Sequence, residues 1–152
     1  MWFLNWIANP FVRLILRSPF HSLMDSAILL ISYKGVKSGK TYTLPVQYAQ
    51  EEKNIYIIPG MAQKKVWWRS LRNGSQVKLL LKGRLLSAHA VVLQGPSETD
   101  QIVRAMAVYL KRFPESAAVH NIQADGAGSF NPDDILRAAS STIIVKVQPE
   151  NS

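Results

Sequence analysis

Short apolar runs separated by polar turns dominate the middle of the chain and predict a sheet. Runs of this length, bounded by Gly, Pro or Asn, are typical of strands. One run contains Pro45, which lacks a backbone N–H and therefore favours a sheet edge or a bulge. The predicted strands are Ala27–Tyr33, Thr41–Tyr48, Ile55–Ile58, Val77–Leu81, Leu85–Leu93 and Thr142–Val147.

Helical patterns occur at fewer places in the chain. Residues 96–112 carry an apolar stripe at helical spacing, and shorter helices are predicted at Lys64–Leu71 and Asp133–Ala139. The segment His120–Asn131 is rich in glycine and small residues and is predicted to be a loop. Mostly antiparallel strands flanked by helices predict an α+β fold built around a small barrel.

The first 24 residues form a separate predicted unit, an apolar helical arm. Asn9-Pro10 and Ser18-Pro19 each place a capping side chain before a proline suited to the first helical position. The arm contains no apolar run of the ~18 residues typical of a membrane span. Two alternatives remain: the arm packs on the core, or it lies in the interface of an anionic membrane. The predicted domains are the arm, residues 1–24, and a barrel, residues 25–148.

Composition and charge narrow the class of protein. The 152 residues contain no cysteine, which excludes disulfides, thiolate metal sites and thiol catalysis and fits a cytoplasmic location. The net charge is +8, and it is uneven: residues 1–96 contain 13 basic and 3 acidic residues, whereas residues 97–152 contain 5 and 7. This excess indicates an anionic partner, such as nucleic acid, a lipid surface or an acidic small molecule. A solvated basic surface is the plainer alternative.

The turn between the first two strands, residues 34–40, is the first candidate site. Its glycines allow backbone N–H groups to point outward, as in anion-binding nests. Lys37, Ser38 and Lys40 add side-chain donors, so the turn suits a phosphate or a carboxylate. The alternative is an ordinary solvated hairpin turn.

A pair of tryptophans forms the second candidate site. Trp67 and Trp68 stand beside Lys64, Lys65 and Arg69. Their rings could stack on a flat conjugated ligand or on nucleobases, since cations and aromatic faces together suit both. The alternative is that both tryptophans are structural.

Familiar catalytic sets are missing from the sequence. His21, His89 and His120 lack metal-ligand spacing, and no serine stands in a nucleophile-elbow pattern. Asp133-Asp134 stands at a predicted helix start, where carboxylates stabilise the helix dipole. We therefore expect no metal, assign no catalytic residue, and expect the difficult chemistry to belong to a bound cofactor.

The order of these features resembles the deazaflavin-dependent nitroreductase family, in the split β-barrel, flavin-reductase-like superfamily. The resemblance rests on Gly35-Val36-Lys37-Ser38-Gly39 after an apolar strand, Thr43-Leu44-Pro45-Val46 in the next strand, and Trp67-Trp68-Arg69-Ser70-Leu71 further on. The N-terminal arm is similar to the membrane-associating leader of one branch of that family. The resemblance implies a split β-barrel of about six strands with flanking helices.

The same resemblance implies a function and a site. It implies an oxidoreductase that transfers a hydride from a reduced deazaflavin, coenzyme F-420, to a nitro compound, a quinone or a similar conjugated acceptor. By position in the motifs, Tyr109 would border the acceptor, and the cofactor would contact Lys37, Ser38, Gly39, Lys40, Tyr42, Pro59, Gly60, Met61, Trp67 and Trp68. The first four of these would cradle the cofactor's phosphate.

Related split barrels keep other cofactors and partners open. Some bind FMN, biliverdin or haem, so the alternative is a non-catalytic or differently loaded barrel that binds FMN or a tetrapyrrole. Nucleic acid is not expected, because no known reader motif appears. A homodimer is a family-level expectation. The expected location is the cytoplasm, with the arm offering a peripheral contact to the inner face of the cell membrane.

Overall fold

The architecture is taken from a computed structural model that describes residues 28–59, 67–124 and 129–150. The predicted helical arm, residues 1–24, lies outside these residues. The strands are β1 (Ile28–Lys34), β2 (Thr41–Gln47), β3 (Ala49–Glu51), β4 (Asn54–Ile57), β5 (Ser75–Leu81), β6 (Arg84–Leu93) and β7 (Ile144–Pro149). The α-helices are α1 (Thr99–Arg112) and α2 (Pro132–Ala139), and 3-10 helices span Trp67–Leu71 and Pro114–His120.

All described strands join one curled, seven-stranded antiparallel sheet in the order β2-β1-β5-β6-β7-β4-β3. With the helices flanking it, this confirms the predicted α+β split β-barrel. β2 is an edge strand, as expected from Pro45. The β5–β6 hairpin turns through Lys82 and Gly83, both with positive φ, as a two-residue turn between right-twisted strands requires.

The two faces of the sheet bury separate hydrophobic clusters, because strand side chains alternate between faces. The inner cluster is lined by alternate strand residues such as Leu29, Ile31 and Leu79, and it includes Trp68 and Leu71 from the Trp67–Leu71 helix. The outer cluster lies between the sheet and α1 and α2. The Trp67–Leu71 helix is thereby anchored to the barrel interior.

Two elements of the described residues were not predicted from the sequence, a three-residue strand and a 3-10 helix. Thr41–Tyr48 was predicted as one strand, but β2 ends at Gln47, Tyr48 is fully buried, and the chain pairs again as β3, which makes a seventh strand. A tight turn at Glu52, with φ of 57°, allows β3 to pair with β4. The 3-10 helix Pro114–His120 was also not predicted.

The described part of the chain contains no helix that is both long and apolar enough to cross a membrane.

The predicted loop His120–Asn131 has one isolated bridge, between Ala124 and Phe130, and residues 125–128 lie outside the described ranges. The acidic start of α2 is structural, as expected: the Asn131 side chain accepts hydrogen bonds from the backbone N–H groups of Asp133 and Asp134.

Candidate functional site

A groove of about 1270 Å³ opens where the β1–β2 turn meets the Trp67–Leu71 helix. One wall is the turn, residues 34–40, and the other is the helix with the residues that lead into β5. The residues that line the groove are Tyr33, Lys34, Gly35, Val36, Lys37, Ser38, Gly39, Tyr42, Trp67, Arg69, Ser70, Arg72, Asn73, Gly74 and Ser75. Both candidate segments from the sequence therefore contribute to one cavity.

The turn at residues 34–40 is closed by its own backbone. The N–H of Gly35 donates to the carbonyl of Lys40, and the N–H of Gly39 donates to the carbonyl of Gly35, each at 2.9 Å. Gly39 has a φ of 69°, in the left-handed region that favours glycine. These bonds fix the shape of the turn. They also engage the N–H groups of Gly35 and Gly39, so these two groups are not available to an anion.

Two of the remaining N–H groups of the turn are open to a ligand. The N–H of Val36 makes a long bond of 3.4 Å to Ser70 Oγ on the opposite wall, which links the two walls of the groove. The N–H groups of Lys37 and Ser38 have no acceptor among the residues that the structure describes. The expected nest is thus reduced to two adjacent amides at the tip of the turn.

Tyr42 is coupled to this turn by close contacts. Its hydroxyl lies 3.2 Å from the Ser38 hydroxyl, and the Ser38 oxygen also accepts a hydrogen bond from the N–H of Lys40 at 3.2 Å. A Cβ added to Gly35 would lie only 2.9 Å from Tyr42 Cε2. The glycine therefore allows the tyrosine ring to lie directly against the turn.

Three aromatic rings form a wall beside the turn. Tyr33 stacks on Tyr42 with ring centroids 5.6 Å apart and planes at 27°, and it lies 6.0 Å from the centroid of Trp67. Burial raises the pKa of Tyr33 above its ordinary value, and Tyr42 raises it further. The Tyr33 hydroxyl is therefore a neutral donor, and the wall offers apolar faces with a polar edge.

The second wall carries two arginines that pack on Trp68. The guanidinium carbons of Arg69 and Arg72 lie 5.5 and 5.3 Å from the centroid of its ring. Trp68 is only 4% exposed, so its ring is fixed in the inner cluster. The wall ends at Gly74, whose φ of 86° and N–H bond to the Leu71 carbonyl stop the helix.

The groove is positively charged on both walls. Its lining contains Lys34 and Lys37 on the turn and Arg69 and Arg72 on the helix, and no carboxylate among the described lining residues. Acidic and basic side chains are interspersed on an ordinary protein surface, so at least one carboxylate would be expected near four cations. The arrangement therefore suits an anionic ligand with a flat, conjugated part.

The structure brings only some of the predicted site residues together. Lys37, Ser38, Gly39, Tyr42 and Trp67 line the groove, whereas the structure does not place Lys40 or the buried Trp68 in its lining. Gly60 and Met61 lie outside the described residues, as do Lys64 and Lys65.

Two other predicted residues lie away from the groove lining. Pro59 is buried just after β4 and is not among the lining residues. Tyr109 is buried on α1, where it packs on Phe113 with centroids 5.0 Å apart and donates to Gln47 Oε1 at 3.3 Å. Burial raises the pKa of Tyr109, and Glu115 raises it further.

Ten of the fifteen lining residues were not predicted as site residues, and four of these ten contribute an aromatic ring or a charge: Tyr33, Lys34, Arg69 and Arg72. Tyr33 ends an apolar strand and is easily taken for core, and Lys34 follows it. Arg69 and Arg72 both follow Trp68, and their spacing of three is compatible with one side of a helical turn. This spacing is a weak signal, because the sequence alone does not show that the two arginines share the Trp68 ring.

In the described part of the chain, no group of three or more His, Asp or Glu could hold a metal ion. His89 is exposed on β6 between Gln76 and Gln148 of the neighbouring strands. Burial lowers the pKa of His120, which stands alone at the end of a 3-10 helix.

Comparisons with known proteins support the fold. No protein-family model matches the sequence, and a comparison with curated proteins gives no match. Among solved structures, the chain is similar to one described as a domain-swapped dimer, with TM-score 0.58 and 15% identity over 97% of this chain and 98% of that one.

Two further solved structures carry functional names. An F-420-H2-dependent reductase matches with TM-score 0.54 and 16% identity over 82% of this chain and 94% of that one. The haem storage protein HutZ from Vibrio cholerae matches with TM-score 0.50 and 12% identity over 95% and 91%. At these identities the likeness shows that the chain shares the fold of these proteins.

Proposed function

We propose that the chain is an oxidoreductase that binds reduced coenzyme F-420 in the groove and transfers a hydride to a nitro compound, a quinone or a similar conjugated acceptor. One observation carries the proposal: four cations, two open backbone amides and three aromatic rings line one groove, with no carboxylate among the described lining residues. A reductase that depends on reduced F-420 shares the fold, which supports this choice of cofactor.

The tip of the turn fits the phosphate of such a cofactor. The N–H groups of Lys37 and Ser38 would donate to phosphate oxygens, and the Lys37 ammonium would add a charge-assisted bond. The Ser38 hydroxyl can donate to the same group while its oxygen still accepts from the Lys40 N–H. Gly39 contributes its positive φ, which keeps the tip in this shape.

The aromatic wall fits the ring system. When bound, the reduced deazaflavin supplies the hydride. A hydride is two electrons and a proton, which pass together to the acceptor. Tyr42 and Trp67 would pack against the conjugated rings, and Tyr33 would hold both in place through its buried ring. The chain's contribution is orientation and the exclusion of water rather than nucleophilic attack.

A second candidate function has a specific observation in its favour. A haem storage protein shares the fold at TM-score 0.50, and an aromatic, basic groove also suits a tetrapyrrole with propionates or FMN with its phosphate. In this alternative the protein stores or carries its ligand without turnover. Cofactor identity and turnover separate the two functions.

The test is a titration of the purified protein with reduced and oxidised F-420, FMN, haem and riboflavin, followed by fluorescence and absorbance. The proposal expects micromolar or tighter binding of F-420 and oxidation of its reduced form when a nitroaromatic or quinone is added. The matched control for F-420 is its own 8-hydroxy-5-deazariboflavin core, which has the same rings but no phosphate and should bind much more weakly; riboflavin is the corresponding control for FMN. Tight binding of haem or FMN with no binding of F-420 would favour the carrier and refute the proposal.

Membrane association and assembly belong to the same proposal. We expect the arm, residues 1–24, to hold the protein at an anionic membrane, so deletion of residues 1–8 should abolish sedimentation with anionic liposomes. Aggregation of the truncated protein would instead mean that the arm packs on the core. A homodimer is also expected, because a neighbour in the fold is a domain-swapped dimer and β2 is an edge strand.

A further inference from the structure

Tyr33, the most deeply buried ring of the aromatic wall, carries a hydroxyl that the proposed function does not use. The residue is 6% exposed, and its hydroxyl makes no hydrogen bond to any residue that the structure describes. Buried tyrosine hydroxyls ordinarily have a partner. The Tyr42 hydroxyl lies 3.2 Å from that of Ser38, and Tyr109 donates to Gln47. A hydroxyl left without a partner at this depth marks a place where a bound molecule can supply one.

Three observations direct this hydroxyl into the groove. Tyr33 and Tyr42 are directly opposite each other on β1 and β2, so their side chains leave the same face of the sheet. Their rings are stacked with planes at 27°, and the Tyr42 hydroxyl reaches Ser38 in the groove lining, to which Tyr33 also belongs. The charge that Tyr42 carries when ionised raises the pKa of Tyr33, as expected for hydroxyls that lie close together.

The nearest neighbours of the ring are aromatic. Its centroid lies 5.6 Å from that of Tyr42 and 6.0 Å from that of Trp67, so Tyr33 stands between the turn and the Trp67–Leu71 helix. Burial is the largest cause of its raised pKa, so the hydroxyl is neutral and can donate. Anionic groups are better matched by the cations and open amides of the groove. The group that suits Tyr33 is therefore a neutral oxygen.

We infer that the Tyr33 hydroxyl binds a carbonyl oxygen at the edge of a flat conjugated ring in the groove. A planar molecule that packs on Tyr42 and Trp67 covers Tyr33. A carbonyl oxygen in the plane of that molecule supplies the missing acceptor, whereas a hydrocarbon ring buries the hydroxyl without one, which is unfavourable. Tyr33 therefore makes the groove selective for rings that carry carbonyl groups over aromatic hydrocarbons of the same shape.

Two molecules of the proposed reaction carry such a carbonyl, the deazaflavin ring and a quinone acceptor. The inference rests on the proposed function for the position of the flat ring, and the shared chemistry is the hydrogen bond from Tyr33 to a neutral carbonyl oxygen. Separate titrations with each molecule distinguish the two sources.

The test uses three proteins: the wild type, Tyr33→Phe, and the control Tyr56→Phe. Tyr33→Phe keeps the ring and removes only the hydroxyl. Tyr56 is 3% exposed in the outer cluster and is not among the groove-lining residues, so the control removes a buried hydroxyl elsewhere. Thermal unfolding checks that both variants fold.

The ligands are 1,4-naphthoquinone, naphthalene and the 8-hydroxy-5-deazariboflavin core of the coenzyme. Naphthalene has the fused rings of the quinone without its carbonyl groups, so it is the matched control ligand. The chain has no cysteine, which excludes thiol adducts of the quinone. Affinities are measured by NMR titration, with the indole N–H of Trp67 as a reporter in the groove.

The expected result is a loss that depends on the carbonyl. Tyr33→Phe should bind 1,4-naphthoquinone about two- to tenfold more weakly than the wild type, the scale of one neutral hydrogen bond. Its affinity for naphthalene, and all affinities of Tyr56→Phe, should change by less than about twofold. The same loss with the deazaflavin core instead of the quinone assigns the carbonyl to the cofactor. Unchanged affinity of Tyr33→Phe for both carbonyl ligands, or no binding of either by the wild type, overturns the inference.

Infrared spectroscopy reports the hydrogen bond itself. The C=O stretch of the bound, ¹³C-labelled ligand should lie at a lower frequency in the wild type than in Tyr33→Phe, because a hydrogen bond weakens the C=O bond. An identical frequency in the two proteins overturns the inference, even if affinity falls for a structural reason.

Failure of the inference differs from failure of the proposed function. If the wild type binds no F-420 but binds the quinone through Tyr33, the proposed function alone fails. If the wild type oxidises reduced F-420 and Tyr33→Phe matches it in both carbonyl titrations, the inference alone fails.

Discussion

Two glycines in the same turn allow a sharp test of how the turn positions Tyr42. Gly35 and Gly39 lie four residues apart, but a Cβ meets different surroundings at each. At Gly35 it would lie 2.9 Å from Tyr42 Cε2 and 3.0 Å from Ser38 Oγ, whereas at Gly39 nothing lies within 4 Å. Gly39 has a φ of 69°, and Gly35 is not in the left-handed region. Alanine therefore introduces a steric conflict at the first position and backbone strain at the second.

Gly39→Ala should destabilise the protein more than Gly35→Ala, whereas Gly35→Ala should weaken ligand binding more. Gly39→Ala places a Cβ in the left-handed region, which costs about 1–2 kcal/mol of stability. Gly35→Ala pushes the Tyr42 ring away by about 0.6 Å or more to restore an ordinary contact of ~3.5 Å. Moving an exposed ring off its rotamer costs about 0.5–1.5 kcal/mol. Alanine also makes the unfolded chain less flexible, which favours the folded state by about 0.4–1 kcal/mol. The net loss of stability in Gly35→Ala is therefore below about 1 kcal/mol.

The affinity for the ligand should fall more in Gly35→Ala than in Gly39→Ala. In Gly35→Ala the displaced Tyr42 ring no longer lies where it is proposed to pack on the conjugated rings of the ligand. An aromatic pair is worth about 0.5–1.5 kcal/mol beyond burial, so loss of this contact should lower the affinity for F-420 about two- to tenfold. Gly39→Ala leaves every neighbour in place and should bind within about twofold of wild type, the usual range for a change that removes no contact.

Urea unfolding followed by tryptophan fluorescence gives the stabilities, and fluorescence titration with F-420 gives the affinities. The Tyr42 ring resonances in an NMR spectrum report displacement without any ligand. If Gly35→Ala leaves those resonances and the affinity unchanged, the glycine does not position the tyrosine and the reasoning fails. Loss of affinity in Gly39→Ala equal to that in Gly35→Ala would point to a general distortion of the turn.

The remaining predictions concern single side chains around the groove. Lys37→Gln should weaken F-420 binding on the order of tenfold at low salt, whereas Lys40→Gln, which the structure does not place in the lining, should change it less than about twofold; equal effects would refute the assignment of the phosphate end. Trp68→Ala should cost about 3–5 kcal/mol of stability in urea unfolding, because Trp68 is buried. Trp67 is half-buried, so Trp67→Ala should cost less stability but should weaken ligand binding. The reverse order would contradict a core role for Trp68 and a ligand-binding role for Trp67. Because burial raises the pKa of Tyr33 above 10.0, its stabilising contribution is complete below pH 10 and is lost as the pH rises through the folded-state pKa. The alkaline fall in unfolding free energy should be shallower in Tyr33→Phe, and an identical fall would refute that assignment.

The sheet was predictable because its signals are local. Alternating and continuous apolar runs gave six of the strands, and turn residues such as Lys82-Gly83 marked where the chain reverses. The seventh strand, Ala49–Glu51, has only three residues and carries no periodicity. It forms because Tyr48 is drawn into the core and ends β2, so its existence depends on tertiary packing.

The site was predictable in part, for a related reason. Glycines and lysines between two strands indicated the turn, but which lysine faces the groove depends on how the chain leaves Gly39. That geometry leaves Lys37 in the lining and Lys40 out of it. Arg72 lies beyond the predicted helix, and only the folded packing of Trp68 reveals that it shares a ring with Arg69.

The alternative of a merely solvated basic surface can be weighed against charges elsewhere in the molecule. Arg104 pairs with Glu51 at 2.8 Å, and Arg137 pairs with Asp134 at 2.9 Å, as expected where acids and bases are interspersed. The groove differs, because its described lining holds four cations and no acid. Like charges gathered on two facing walls lower the stability of the free protein. A cost of that kind is expected where a ligand removes it, since a ligand that binds only the folded state stabilises it in return. The charge distribution therefore favours a binding site over a solubilising surface.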